Sequence, residues 1–256
     1  MTDNHLQDLL TPGSDIRLLW LVNLSWMMRL GGRLWAVDLD LETDVRVHTS
    51  PIPTLELAPH LDVHVITHWH GDHLSSSTCA LLVEHSDCLF LLPANCQQKA
   101  RHIGIPEERI QIARPDEPFD LLDVHVRPHR ALHGEKNFTV YRHASFDDCG
   151  YLFEVGGKLL FQPGDTVLLE QHLDLQDIDV LFVSPTVHNM YIDRAAILIH
   201  HLEPRRIFAQ HFGTYSETED NLFWTRGYPD ELKSALMPRL RDRFCKPVMG
   251  QLYVID

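Results

Sequence analysis

The ten residues Val65 to Leu74, VITHWHGDHL, constrain this chain more than any other stretch. Three histidines and an aspartate, His68, His70, Asp72 and His73, fall within six positions directly after an apolar run. In an extended loop, residues two apart point to the same side, so His68 and His70 can both reach one cation. Asp72 and His73 follow at the entrance to a helix, where the turn aims them at a neighbouring point. Neutral imidazole and carboxylate are the donors that suit Zn²⁺, Mn²⁺ or Fe²⁺. The rival reading is a solvated, histidine-rich turn in which Asp72 caps the helix, a task that Ser75 to Ser77 can perform equally well. Each part of the string is common alone and the combination is not, which favours the metal reading.

One tetrahedral or five-coordinate ion needs three or four protein ligands, and this string can give only two to each of two sites. The others must come from remote segments. Ligand-type residues do recur where apolar strands end: His133 in RALHGE, Asp165 behind the Pro-Gly turn of LLFQPGDT, His211 after RIFAQ, and Asp38 in LWAVDLD. His129 competes with His133 from four positions earlier, and an aspartate after Pro-Gly is also an ordinary turn residue. A carboxylate has two oxygens, so Asp165 can bridge cations ~3.5–4 Å apart. Asp38 is expected to orient the histidine loop from behind rather than to ligate.

The rest of the chain reads as a scaffold for these positions. DIRLLWLV, SWMMRL and RLWAVDLD are short apolar strands, the last two joined by a hairpin at Gly31-Gly32. LDVHVIT is a strand, SSSTCALLVEHS a helix with serines at its start, CLFLL a strand, PANCQQKARHIG a helix and RIQIA a strand. In the second half DVHVRPHR, FTVYRH, GYLFEV and KLLFQP are strands, with a second hairpin turn at Gly156-Gly157. DVLFVSP is a buried strand, DRAAILIHHLEP a helix, RIFAQ a strand, PDELKSALMPRLRDRF a helix and QLYVID a closing strand. Strands first and helices later in each half predict an α+β architecture of two facing sheets with helices outside. No repeat, low-complexity tract or linker divides the 256 residues, so a single domain over 1–256 is expected.

Composition enters where it excludes partners. A formal charge of −14 argues against nucleic acid, because phosphate contacts need a basic surface. A small anionic substrate stays open, since a bound cation reverses the local field. No apolar run approaches the ~20 residues that span a bilayer. The N-terminal MTDNHLQDLL has no basic and apolar signal pattern, and the five cysteines stand at no metal-like spacing, so reduced thiols and a cytoplasmic location are expected.

The string His68-x-His70-x-Asp72-His73, followed in order by His133, Gly164-Asp165-Thr166 and His211, resembles the metallo-β-lactamase superfamily over nearly the whole chain. The resemblance implies a four-layer αββα sandwich with a two-metal site at one edge of the sheets. Carried over position by position, His68, His70 and His133 hold one metal, Asp72, His73 and His211 the second, and Asp165 bridges. The opening strands, GIPEERIQIARPDEPFDLLDVHV and GYLFEVGGKLLFQPGDT are similar to the branch containing L-ascorbate-6-phosphate lactonase. That enzyme aligns an aspartate with His133 and is about a hundred residues longer, so fold and chemistry carry over and the ascorbate substrate does not. Relatives with redox chemistry tend to carry a carboxylate where His70 stands, which speaks against a di-iron redox protein.

The implied function is a metal-dependent hydrolase of a small lactone, ester or phosphoester, a sugar-phosphate lactone among them. Two divalent ions, zinc or manganese with iron also admitted, would lower the pKa of a shared water towards ~7. Asp72 is assigned a second role in moving that water's proton. No nucleophile elbow or phosphate loop offers a rival chemistry. The competing class is a phosphodiesterase or RNA-processing nuclease, which the same string serves. In the SPTVHNMYID loop His188, Asn189 and Tyr191 are candidates to contact substrate, His188 with a catalytic part. Lys136 is a candidate anion anchor and Tyr215 a weaker oxyanion donor. Oligomerisation is left open.

Overall fold

Period-two burial sorts the first strands between two cores. In the computed structural model, which describes residues 5–13 and 15–255, β1 (Ile16–Val22), β2 (Ser25–Leu30) and β3 (Arg33–Val37) form an antiparallel meander. Ile16, Leu18, Trp20, Trp26, Met28, Trp35 and Val37 face one apolar cluster, while Leu19, Leu21, Met27, Leu34 and Ala36 face another. Strands buried on both sides lie between two layers, as the near-continuous apolar runs require. β4 (Val63–Val65), β5 (Leu89–Pro93) and β6 (Ile110–Ala113) then add in parallel. Short helices α1 (His5–Leu10), α2 (Thr54–Leu57), α3 (Ser76–His85) and α4 (Gln97–Ile103) accompany them. Leu9, Leu57, Leu82 and Ala100 place these helices on the outer cluster.

The second sheet starts with β7 (Phe119–Leu121), β8 (Val124–Arg130), β9 (Cys149–Val155) and β10 (Lys158–Gln162), all antiparallel neighbours. It continues in parallel through β11 (Val180–Val183), β12 (Arg206–Ala209) and β13 (Phe244–Cys245). Helix α5 (Tyr191–Leu202) joins β11 to β12, and α6 (Leu222–Thr225), α7 (Pro229–Ala235) and α8 (Pro238–Arg241) precede β13. The last strand, β14 (Leu252–Ile255), returns to pair antiparallel with β1. Each sheet has seven strands, in the orders β14-β1-β2-β3-β4-β5-β6 and β13-β12-β11-β10-β9-β8-β7. The inner cluster draws on both sheets, with Trp26 edge-on to Phe182 and Phe208 at 5.0 and 5.4 Å and Trp35 edge-on to Phe153 at 5.9 Å. This is the expected pair of facing mixed sheets with helices outside.

Two local expectations are corrected. The strand expected over 138–143 is absent: residues Lys136–Phe138 form a 3-10 turn containing Asn137 at φ 63°, and one isolated bridge, Gly134 to Val140, is all that remains of pairing. The helix expected over 229–244 breaks in two, because Met237 precedes Pro238 and takes an extended ψ of 150°; the proline ring disfavours helical backbone in the residue before it. Met1 to Asn4, Ser14 and Asp256 lie outside the described residues, and with them the first part of the N-terminal segment and the last position of the closing strand.

Candidate active site

Six chain segments leave the sheets in the same direction and end in polar side chains. Asp38 follows β3, His68 to His73 follow β4, His133 follows β8, Asp165 follows β10, His188 follows β11 and His211 follows β12. Carboxyl ends of parallel strands are where such α/β layers open a crevice. The first sheet thus supplies one half of a polar cluster and the second sheet the other.

The ligand-type atoms of His68, His70 and His133 lie within 4.8 Å of one another, and so do those of Asp72, His73 and His211. Asp165 stands between the two groups. Its Oδ2 is 3.5 Å from His73 Nε2, 3.6 Å from His133 Nε2 and 3.3 Å from His211 Nε2. The alternatives left open by the sequence are resolved by placement. Asp72 does not cap α3, whose first turn is capped by Ser75 accepting from the Thr78 N–H. His129 packs against Phe161 at 5.6 Å and stays out of the cluster.

His73 and His133 are each aimed by the bond on the ring's other nitrogen. His73 Nδ1 is 2.8 Å from Asp38 Oδ2, and Asp38 also accepts from the Thr67 N–H at 2.9 Å and the Thr67 hydroxyl at 2.8 Å. His133 Nδ1 donates to the Gly134 carbonyl at 2.6 Å. The Nε2 atoms of His68 and His73 then sit buried with no hydrogen-bond partner. An unsatisfied buried nitrogen is costly unless something absent from the protein atoms satisfies it.

Electrostatics favour the same occupant. Burial pushes the His68 imidazole well below its ordinary value, with His73 and His133 adding like-charge repulsion. Burial is also the main cause that brings His70 down to about 3. At His73 burial opposes charge, but the Asp38, Asp72 and Asp165 carboxylates outweigh it and hold the ring well above its usual range. Asp165 is likewise opposed by burial and still held well below the carboxylate range, by His211 and His73. Buried carboxylates that recruit a proton onto a neighbouring ring mark a site short of positive charge.

The loop after β11 behaves differently from its expected part. His188 Nδ1 is 3.1 Å from the Phe223 carbonyl and Nε2 is 3.0 Å from Asp165 Oδ2. Its donor atom therefore clusters with those of His133 and Asp165. Asn189 donates from Nδ2 to Asp165 Oδ1 at 2.9 Å and orients that carboxylate. Tyr191 opens α5 and packs edge-on to Tyr228 at 5.4 Å, outside the cavity lining. Lys136 is exposed and does not line the cavity either. Tyr215 lies between the Arg46 guanidinium, 4.9 Å from its ring centre, and Trp224 at 5.0 Å, and serves as a wall behind the site.

Over the cluster opens a cavity of about 170 Å³, lined by His70, Asp72, His133, Asp165, His188 and His211 and closed by Glu135, Tyr141, Phe223 and Trp224. Sequence reasoning missed those last four, and also Asn23, whose Nδ2 donates to Asp72 Oδ2 at 3.2 Å and whose carbonyl accepts the His211 N–H at 3.1 Å. For the aromatic pair a signal existed: Phe223-Trp224 is an apolar island in a polar stretch. For Asn23 there was none, since nothing local ties residue 23 to residue 72.

Two facing mixed sheets with a histidine–aspartate cluster at the shared strand ends define the metallo-β-lactamase fold. The chain belongs to the beta-lactamase superfamily: the family model described as Beta-lactamase superfamily domain matches residues 39–212. It is 27% identical over 210 residues to a UPF0173 metal-dependent hydrolase of Pyrobaculum arsenaticum, covering 78% of this chain and 85% of that protein. Among solved structures it is similar to Igni18, a metallo hydrolase from Ignicoccus hospitalis, with TM-score 0.74, 17% identity and coverage of 94% and 99% of the two chains. It is also similar to an isothiocyanate hydrolase from Delia radicum gut bacteria, with TM-score 0.71, 16% identity and coverage of 93% and 98%.

Proposed function

We propose that the protein is a metal-dependent hydrolase of a small ester, lactone or phosphoester that works with two divalent cations, zinc or manganese, with iron also compatible with the donors. The observation that carries this reading is the pair of three-donor groups on either side of Asp165, with the buried His68 and His73 Nε2 atoms unpartnered and aimed between them. The donor set fits such ions: His73 and His133 are oriented from behind, and the Asp72 and Asp165 carboxylates are held below their usual range. His68, His70 and His133 would hold one cation, Asp72, His73 and His211 the other, and Asp165 both, with His188 adjoining Asp165. Asp38 fixes His73 from behind. The Pyrobaculum relative, named a metal-dependent hydrolase, supports the class, and the resemblance to the ascorbate-6-phosphate lactonase branch supports a small cyclic or linear ester.

When bound, such ions would bring a shared water's pKa towards ~7 and polarise the substrate oxygen that gains charge. The chain's own residues do the rest. Asp72 lines the cavity, where its carboxylate is assigned the movement of the water's proton. His188 lines the cavity with Nδ1 on the Phe223 carbonyl and Nε2 on Asp165 Oδ2, so its part is to hold that carboxylate in place beside the reacting bond. The aromatic walls exclude water from the reacting bond. A charge of −14 disfavours the nuclease alternative, since phosphate contacts need a basic surface. No helix among the described residues is long and apolar enough to cross a membrane.

The test combines metal analysis with turnover of an ester, lactone and phosphoester panel. Asp165→Ala and His68→Ala are expected to lose metal and at least ~100-fold in rate, because even partners behind a ligand cost ~10–100-fold. Chelation should abolish activity and Mn²⁺ or Zn²⁺ restore it. A metal-free preparation with full activity would sink the reading.

A further inference from the structure

Several imidazole nitrogens point at one carboxylate oxygen. Asp165 Oδ2 is 3.0 Å from His188 Nε2, 3.3 Å from His211 Nε2, 3.5 Å from His73 Nε2 and 3.6 Å from His133 Nε2. A carboxylate oxygen has about two lone-pair directions, so hydrogen bonds cannot account for all of these rings. The last three distances also exceed the ~2.7–3.2 Å of an N–H···O bond. The other oxygen, Oδ1, already accepts from Asn189.

His188 is the ring that the two three-donor groups leave out, and its tautomer is fixed from behind. The Phe223 carbonyl, 3.1 Å from Nδ1, can only accept, so Nδ1 carries a proton. In the neutral ring Nε2 then turns a lone pair towards Asp165 Oδ2, another acceptor. Two acceptors at 3.0 Å need a positive charge to reconcile them. In the protein alone a second proton on the ring can supply it, and the ring then holds Asp165 by a hydrogen bond. Divalent ions change that balance. The His133 and His211 ring centres lie 5.1 and 5.2 Å from that of His188, so ions held by those residues would repel an imidazolium there. The ring gives up its second proton, and its lone pair faces the oxygen that binds the ions.

We propose that His188 Nε2 is itself a metal donor, sharing with Asp165 the cation on the His133 side. This rests on the two-cation reading and adds a donor to it. The ligand atoms of His133, Asp165 and His188 lie within 4.8 Å of one another. The 3.0 Å between Nε2 and Oδ2 suits two donors on one ion. Bonds of ~2.0–2.1 Å in tetrahedral or octahedral geometry place neighbouring donors ~2.8–3.4 Å apart. The placement is also firm. His188 is 2% exposed, and a Cβ on Gly134 would come 1.7 Å from its carbonyl oxygen, so its loop is packed directly on that of His133. Through the shared ion the ring still keeps the Asp165 carboxylate in place.

The experiment titrates the chelator-treated full chain with Zn²⁺ by calorimetry and with Co²⁺ by proton NMR. His188→Ala and His188→Gln should each weaken the binding of one ion by at least ~100-fold, beyond the ~10–100-fold that a partner behind a ligand costs. Gln is the discriminating change, because its amide can still donate to Asp165 Oδ2 but is a poor donor to these ions. With Co²⁺ bound, the Nδ1–H of a ligating His188 should give a strongly shifted exchangeable resonance, shielded from solvent on the Phe223 carbonyl, and both variants should lack it. Native affinity in His188→Gln, or a set of shifted resonances that is the same in native protein and variants, overturns the donor and leaves the two-cation reading standing. A native chain that takes up no ion sinks that reading and this donor with it.

Discussion

His64 and His73 stand nine positions apart in the sequence and are driven in opposite directions by their surroundings. His73 meets three carboxylates, whose field raises it well above its usual range. His64, on β4, faces the outer cluster: its Nε2 accepts the Leu39 N–H at 3.0 Å, its ring is edge-on to Phe90 at 5.8 Å, and burial lowers it from 6.5 to about 3. Its folded value lies below its unfolded one, so the unfolded chain takes up the proton first. The stability this neutral ring contributes is complete above pH 6.5 and is lost as pH falls from 6.5 towards 3, by about 1.4 kcal/mol per pH unit. His172, lowered by burial to about 4, adds a loss of the same sign over a narrower window. In urea titrations between pH 6 and 4.5, His64→Gln should therefore show a slope of stability against pH smaller by about 1.4 kcal/mol per unit than the unsubstituted protein. Parallel slopes would show that His64 is not held neutral. The sequence marked the His68–His73 string as special but gave no hint that His64, four residues earlier, belongs to the core; the distinction is one of strand face, and His64 alternates with Val63 and Val65, which point to the inner cluster.

Elements carry the ligand residues to one edge, and the loops behind them must fit. Gly134 shows how tightly. A Cβ there would come 1.7 Å from the His188 carbonyl oxygen, so the loop of His133 and the loop of His188 touch through a glycine. Gly134→Ala should cost ~1–3 kcal/mol of stability as the loops separate, and on the order of 100-fold in rate from displaced donors. Gly71→Ala, where a Cβ meets nothing within 4 Å, is the matched control and should leave both nearly unchanged. Equal effects at the two positions would show that contact at Gly134 is not what matters. The apolar strands, both Gly-Gly hairpins and the Ser75-capped helix were legible because their signals are local: period two, turn residues, a cap. The strand read over 138–143 was not there: Tyr141 packs on His70 and His133 and lines the cavity, while Val140 is exposed.

At the scale of the molecule, the candidate cations would join two sheets. His68, His70, Asp72 and His73 come from loops of the first, and His133, Asp165, His188 and His211 from the second. Ions bound only by the folded arrangement stabilise it by mass action, ~2.7 kcal/mol at a hundred times the dissociation constant. The melting temperature is therefore expected to rise with added Zn²⁺ or Mn²⁺, to fall with chelator, and to respond little in Asp165→Ala. A melting temperature indifferent to metal and chelator would argue that the cluster binds no ion. The charge of −14 acts at this scale too, through repulsion of polyanions rather than through the fold.

What the sequence determined by itself was the part of the protein written in short windows. Strand alternation defined the layers, and the spacing His68-x-His70-x-Asp72-His73 defined a donor set, because both depend on neighbours two to five positions apart. The tertiary structure alone decided which remote groups complete that set and what guards it. Asn23 on Asp72, Asn189 and His188 on Asp165, Asp38 through Thr67, and the Tyr141, Phe223 and Trp224 walls meet across loops from both sheets. Such contacts are set by how two twisted sheets face each other, and no periodicity along the chain records that.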